Sequence, residues 1–146
     1  MTEKKRRSES QLQAQCVLWY HNEHYQNPRN LWATFNEGRD VNTKRTMGLL
    51  EGVSDLLYFC PIYGLTAIEM KFEGKSHETK RLISQAEWIL EVPKRGGFCD
   101  SLEMFQQIIR GKSQGIDPQA VINYCKQQKT KTITWKNERF KNFIRV

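Results

Sequence analysis

The sequence predicts an α/β fold in which a mixed central β-sheet is flanked by α-helices. Two short runs, 56–59 and 65–68, are rich in aliphatic, aromatic and β-branched residues, and a turn with proline and glycine separates them, as in a β-hairpin. Before and after this hairpin, apolar residues recur three and four positions apart, which is typical of amphipathic helices. At 146 residues the chain is long enough for one domain with its own core.

The chain begins with a charged segment, residues 1–7, that contains consecutive cations at positions 4–7. We predict a flexible basic leader there; the alternatives are a phosphate contact or an import signal. Ser8 followed by Gln11 has the form of a capping box, which predicts that a first helix begins at Ser8 and extends to about Asn22. Helical spacing assigns its buried stripe to Leu12, Cys16 and Trp19 or Tyr20, with Glu9 on the same side.

Residues 30–35 are predicted to form a first strand, and the hairpin follows. If its tight loop is 61–63, Asp55 lies directly opposite Glu69, and like charges at that spacing destabilise a sheet unless a cation lies between them. A four-residue loop would move Asp55 to a diagonal position that still reaches a shared cation. Because side chains alternate along a strand, Glu69 and Lys71 share one face. The pattern therefore predicts two acids and one ammonium group in a single patch.

The segment after the hairpin, residues 72–81, is polar, and we predict a mobile loop that either clamps substrate or serves as an ordinary connection. A helix at 82–92, capped at Thr79 or Ser84, is predicted next. The spacing of its apolar residues places Gln85 on the face that packs on the sheet. A buried amide must be hydrogen-bonded, so a structural backbone partner is one explanation of Gln85.

The C-terminal part contains shorter elements and an unusual tail. The predicted elements are a strand at 96–99, a helix at 101–109 capped by Asp100 or Ser101, a linker at 112–117, a helix that begins at Asp117-Pro118 and a half-exposed strand at 129–135. The tail, 135–146, interleaves aromatic and basic residues. Such a mixture suits a nucleic-acid surface, because rings stack on bases and cations follow phosphates. It equally suits a capping or dimer-forming tail with buried rings, which we favour.

Composition limits the classes of protein and partner. The formal charge of +7 and the pI of about 9.3 suit a polyanion such as nucleic acid, although a plain basic surface explains them as well. No apolar stretch approaches the ~18 residues of a membrane span, and none follows the basic start as a signal peptide requires. The cysteines, Cys16, Cys60, Cys99 and Cys125, and the histidines, His21, His24 and His77, lack zinc-ligand spacing. We expect reduced intracellular thiols and surface histidines.

A wider set of residues resembles a known family. Gly52-X-X-Asp55, then Glu69-X-Lys71 on a strand and Gln85 on the next helix, resembles the PD-(D/E)xK nuclease superfamily. The VRR-NUC branch is indicated by further pieces in the same order, namely Phe35-Asn36-Glu37-Gly38, Lys44 with Gly48, and Gln85-Ala86-Glu87-Trp88. The resemblance covers about residues 9–109. It departs at Ser54, where the family has proline, which carries no ligand atom.

The resemblance implies a restriction-endonuclease-like nuclease core over residues 8–111. Outside the resemblance, we expect residues 112–146 to form a C-terminal extension that packs on the core or forms a dimer contact. The resemblance also implies a site for Mg²⁺ or Mn²⁺ in which Asp55, Glu69 and Glu9 hold the metal. Lys71 would position water and stabilise the charged intermediate, and Gln85 would orient Lys71 or the water. The cations expected to contact DNA are Arg39, Lys44, Arg45, Lys75, Lys80 and Arg81.

The implied function is a metal-dependent endonuclease that hydrolyses phosphodiester bonds in branched DNA, resembling Holliday junction resolvases that act as homodimers. The expected location is the cytoplasm or nucleoid of a bacterial or phage-infected cell. The alternatives are a flap or single-strand DNase, a catalytically silent DNA-binding module, which the intact acids and Lys71 argue against, and a toxin-like RNase, for which no RNA motif is present.

Overall fold

The structure is a computed structural model that describes residues 8–34 and 52–146. Its four-stranded sheet has the order β1 (Leu31–Ala33), β2 (Leu56–Cys60), β3 (Gly64–Met70) and β5 (Gly96–Cys99), and β4 (Ser76–Glu78) pairs separately with β6 (Thr132–Thr134). The helices are α1 (Glu9–Glu23), α2 (Thr79–Glu91), α3 (Leu102–Ile109), α4 (Pro118–Gln128) and α5 (Asn137–Phe140), with a 3₁₀ turn at Pro28–Asn30. β1, β2 and β3 are antiparallel, whereas β5 is parallel to β3, so the sheet is mixed.

The β2–β3 hairpin has the predicted register. Leu56 faces Ile68 and Cys60 faces Gly64, which leaves a three-residue loop at positions 61–63. Gly64 closes that loop with φ +85°, a conformation that glycine adopts without strain. The prediction of a tight hairpin loop is therefore confirmed, and the four-residue loop is not formed.

The sheet separates two apolar clusters. The first cluster lies under α1 and α3 and contains Leu12, Cys16, Tyr20, Ile68, Met70 and Phe105. The second lies under α2, α4 and the C-terminal residues and contains Ala67, Leu82, Ala86, Ile89, Phe98, Val121 and Trp135. Consecutive residues of β3 therefore alternate between the clusters, as strand geometry requires. These layers confirm the predicted mixed sheet flanked by helices.

Helix caps follow local sequence signals where such signals exist. The Ser8–Gln11 capping box is formed, with Ser8 Oγ accepting from the Gln11 N–H at 3.2 Å and Gln11 Oε1 accepting from the Ser8 N–H at 2.9 Å. Ser101 caps α3 by accepting from the Met104 N–H at 3.1 Å. The cap predicted at Thr79 or Ser84 is wrong, because α2 begins at Thr79 and its N-cap, Glu78, makes no side-chain cap bond.

The predicted loop at 72–81 is also wrong. Residues 76–78 form β4, and its partner β6 is supplied by the C-terminal part of the chain. Thr79 continues this connection, since its hydroxyl donates to the carbonyl oxygen of Thr130 at 2.9 Å. The pairing partner is so distant in sequence that no local pattern at 72–81 indicates it.

The strand β5 begins with two glycines because other chain segments cross it closely. A Cβ atom at Gly96 would collide with the backbone of Ala67, and one at Gly97 would collide with the carbonyl oxygen of Ile116. The segment that contains Ile116 also bonds to β5, since the N–H of Phe98 donates to the Ile116 carbonyl at 3.1 Å. These contacts hold the end of β5 next to Met70 and Lys71.

The C-terminal residues pack on the second cluster. Trp135 and Phe140 are buried, whereas Phe143 is exposed. The Trp135 ring stacks on Phe98, with 5.6 Å between ring centroids, and its Nε1–H donates to Asp100 Oδ2 at 3.0 Å. Two of the three tail rings are thus core residues of the fold.

All four cysteines are buried free thiols, as expected. Among the described residues, no helix combines the length and the apolar character that crossing a membrane demands.

Trp135→Phe should lower the free energy of unfolding by about 2–4 kcal/mol, because it removes ring volume from the core and leaves the buried Asp100 carboxyl without its donor. Thermal denaturation would measure the loss. The matched control is Phe143→Leu, an exposed tail ring that should change stability by less than about 0.5 kcal/mol. Equal melting temperatures for Trp135→Phe and the wild type would contradict a structural role for the tail.

Candidate active site

Asp55 and Glu69 meet across the hairpin, one at the start of β2 and the other near the end of β3. The backbone N–H of Asp55 donates to Glu69 Oε2 at 3.0 Å, and the backbone N–H of Met70 donates to Asp55 Oδ2 at 2.9 Å. Each carboxyl group is therefore tied to the partner strand by a backbone hydrogen bond. The predicted opposition of the two acids is present.

The backbone around Asp55 is fixed from both sides. The Thr34 N–H donates to the Asp55 carbonyl at 3.1 Å, and the Thr34 hydroxyl donates to the Ser54 carbonyl at 2.8 Å. Gly52 has φ +84° and lies against α2, where a Cβ atom would approach Ser84 Oγ to 2.9 Å. The glycine thus allows the turn that aims Asp55 at Glu69.

Lys71 joins the two acids on the same face. Its Nζ lies 3.3 Å from Glu69 Oε1, and both side chains are almost fully buried, at 3% and 2% exposure. The Lys71 backbone N–H donates to the Cys99 carbonyl at 2.9 Å, which attaches the residue to β5, and its Nζ lies 5.9 Å from the centre of the Phe98 ring. The predicted patch of two acids and one ammonium group is therefore formed, with Glu69 and Lys71 buried and Asp55 half-buried.

The charge in this patch is unbalanced. Burial raises the pKa of Glu69 to about 8 against the attraction of Lys71, and the neighbouring Asp55 carboxyl raises it further. Burial also raises the pKa of Asp55, although Lys71 and the Met70 N–H act in the opposite direction. One ammonium group does not compensate two carboxylates of which one is buried and the other half-buried, so the site favours either a proton or an added cation.

Glu9 lies beside this patch but has other partners. Its Oε2 is 3.2 Å from Lys75 Nζ, and its Oε1 is 3.1 Å from His77 Nε2, close enough for attraction although not aligned as a hydrogen bond. Burial acts against ionisation of Glu9, but His77, Lys71 and Lys75 outweigh it and hold the pKa at about 2. Glu9 is therefore an ionised acid near the site, held by Lys75, just before β4, and by His77 on β4.

Gln85 lies on the buried face of α2, the helix that covers the second apolar cluster. The residue is 5% exposed, and its Oε1 has no hydrogen-bond partner among the described residues. The structural backbone partner considered from the sequence is therefore not seen for this oxygen. An unsatisfied buried carbonyl can accept a hydrogen bond from a bound water.

The side chains that could hold the expected divalent ion are carboxylates. Within ranges 8–34 and 52–146, no three His, Cys, Asp or Glu side chains lie together as a metal-holding group. Mg²⁺ is commonly held by one or two carboxylates, with water and substrate phosphates as the other ligands. Asp55 and Glu69 supply that number of carboxylates, and their excess negative charge fits a cation. Glu9 is not part of a three-ligand group in this arrangement.

The predicted DNA-contacting cations are in different situations. Arg39, Lys44 and Arg45 lie outside the described residues. Lys75 is paired with Glu9, whereas Lys80 and Arg81 are exposed on the first turn of α2.

The sequence pattern predicts His77 at the surface and does not indicate its contact with Glu9. Its side chain is 9% exposed and faces both Glu9 and the Trp135 ring, at 6.5 Å between ring centroids. Lys75 and His77 are two positions apart, the spacing that puts side chains on one face of a strand. That alternation was the one local signal available.

Comparison with protein-family models, with curated proteins and with solved structures found no match for this chain.

The raised pKa of Glu69 predicts that the metal-free protein loses stability as the pH rises. The folded state keeps a proton that the unfolded state releases above its ordinary value of 4.5, so the free energy of unfolding falls between pH 4.5 and about 8. Glu9 adds nothing to this slope, because its stabilisation is lost only below pH 4.5, as the pH falls towards 2.

Melting temperatures in EDTA from pH 5 to 8 would measure this slope. Glu69→Gln should flatten it, whereas Glu87→Gln, an exposed acid on α2, should leave it unchanged. If the melting temperatures of wild type and Glu69→Gln changed equally with pH, the raised pKa of Glu69 would be refuted.

Proposed function

We propose that this protein is a metal-dependent endodeoxyribonuclease that hydrolyses phosphodiester bonds in branched DNA. The observation that carries the proposal is the cluster of half-buried Asp55 with buried Glu69 and Lys71, in which two carboxyl groups from adjacent strands lie together with one ammonium group. An ordinary solvated ion pair on a strand would not be buried, and burying two acids with one lysine costs stability. Such a cost is typical of a functional site.

Mg²⁺ or Mn²⁺ would be held by Asp55 and Glu69. When bound, such an ion polarises a phosphoryl oxygen and lowers the pKa of a bound water. Lys71, fixed by Glu69 and by its backbone bond to Cys99, supplies positive charge for the anionic phosphate oxygens. Gln85 Oε1, which has no partner among the described residues, would orient the water, and Glu9, held by Lys75 and His77, would act as an accessory acid beside the cluster.

The substrate and the assembly are inferred from charge and from the family resemblance. A formal charge of +7 favours a polyanion, and exposed Lys80 and Arg81 on α2 offer phosphate contacts. The mixed sheet flanked by helices is compatible with a restriction-endonuclease-like core. The preference for four-way junctions, the homodimer and a place of action on bacterial or phage DNA in the cytoplasm follow from the family resemblance. A flap or single-strand DNase is the second candidate within the same chemistry.

Binding of Mg²⁺ or Mn²⁺ should raise the melting temperature of the wild type, because a ligand that binds only the folded state stabilises it by mass action. The shift should grow with metal concentration and with pH, as the proton on Glu69 is displaced. Asp55→Asn and Glu69→Gln should lose the shift, and Glu87→Gln should keep it. A shift of equal size in all four proteins would place the metal elsewhere.

Cleavage should require the metal and the three clustered residues. The protein would be incubated with labelled four-way junction, flap, duplex DNA and RNA in Mg²⁺, Mn²⁺ or EDTA. A resolvase makes paired symmetric nicks in the junction, a flap nuclease cuts near the branch, and a silent binding module shifts the substrate uncut. We expect cutting of branched DNA in Mg²⁺ or Mn²⁺ and none in EDTA.

Asp55→Asn and Lys71→Met should reduce this cutting by roughly 100-fold or more while junction binding is largely kept. Asp55→Asn should also melt no lower than the wild type in EDTA, since it removes one of two repelling acids. Exposed Lys126→Met is the control for lost positive charge. Normal cutting by both site variants would refute the assignment of the site.

A further inference from the structure

The sheet face that carries the catalytic cluster also carries an exposed tryptophan. Trp32 on β1 pairs directly with Leu57, which lies two residues beyond Asp55 along the same strand. Directly opposed residues in an antiparallel pair share a face, and so do residues two apart on one strand. Asp55 and Trp32 therefore project from the same side of the sheet, at roughly 8 Å on the diagonal between neighbouring strands.

The cover over this face is uneven among the described elements. Ala67 and Phe98, on β3 and β5, are completely buried within the second cluster. Towards the sheet edge, Leu57 is half-buried, and Trp32 and Phe59 are 42% and 53% exposed. The Trp32 ring is thus exposed to solvent one strand away from the acids, at the edge of the sheet formed by the described strands.

We propose that Trp32 is a stacking platform for an unpaired base adjacent to the phosphodiester that Asp55 and Glu69 hold. This inference rests on the proposed nuclease function and specifies its substrate class, namely DNA with unpaired bases at the cut. A phosphate held over Asp55 places the neighbouring nucleotide over the β2–β1 edge. Every base has an aromatic face that can stack on a tryptophan, but in a duplex both faces are already occupied by neighbouring bases. Trp32 therefore stabilises binding of a splayed base by stacking and does not stabilise binding of a paired base.

The position of the contact can be tested by photo-crosslinking. A flap substrate with 5-iodouracil as the unpaired base at the branch would be bound in EDTA, irradiated and digested for mass spectrometry. We expect the crosslink at residue 32 in the wild type and in Trp32→Phe, and its loss in Trp32→Leu. A crosslink that maps to other residues in all three proteins would overturn the proposal.

Kinetics provide the second readout. With a flap substrate and Mg²⁺, Trp32→Leu should raise KM by roughly 5- to 100-fold while kcat changes less, and Trp32→Phe should restore most of the loss. Cutting of fully paired duplex should be equally weak in all variants. Phe143→Leu, an exposed aromatic residue of the tail, is the matched control and should behave as the wild type. Melting temperatures would verify that each variant is folded.

The outcomes separate this inference from the function on which it rests. If wild type and Trp32→Leu cut the flap with the same KM, the stacking role is refuted and the nuclease function stands. If Trp32→Leu changes the sedimentation coefficient of the free protein but not its KM for the flap, Trp32 belongs to a contact between two copies of the chain. If the wild type neither binds nor cuts any DNA, the proposed function fails and this inference fails with it.

Discussion

Two hydrogen bonds, from the Asp55 N–H to the Glu69 carboxylate and from the Met70 N–H to the Asp55 carboxylate, are the constraint on which the site depends. Each acid accepts a backbone N–H from the other strand, so both carboxyl groups are fixed wherever the hairpin register is fixed. The register in turn follows from the three-residue loop and from Gly64. A slip of one residue would transfer an acid to the opposite face of the sheet, where the first apolar cluster lies.

The layers around the sheet explain why this cluster is buried although it lies near strand ends. β5 lies parallel to β3, with Lys71 Nζ near the Phe98 ring, and Trp135 stacks on Phe98. β6, directly before Trp135, pairs with β4, which carries His77, and the Trp135 N–H donates to the carbonyl of Lys75, the other partner of Glu9. The C-terminal residues thus shape the surroundings of the acids without contributing one.

Burial makes the cluster costly and useful for the same reason. Burial raises the pKa of both Asp55 and Glu69, and for Glu69 the neighbouring Asp55 carboxyl raises it further. The same burial strengthens the attraction of a cation and of the anionic phosphate that follows it. An arrangement of two carboxylates and a lysine fits an ion that keeps water and phosphate among its ligands.

The sequence alone determined the features that depend on neighbouring residues: the preferred hairpin register, the Ser8 cap, a cap of α3 at Asp100 or Ser101, and the shared face of Glu69 and Lys71. It failed at β4, at the start of α2 and at His77, because their partners, Thr132–Thr134, Thr130 and Glu9, are far away in the chain. Periodicity and capping are short-range signals, whereas pairing between distant segments is decided by the whole set of contacts made on folding. Only the tertiary structure therefore decided which side chains hold Glu9, that Trp135 is a core residue, and that Trp32 is exposed on the same sheet face as the acids.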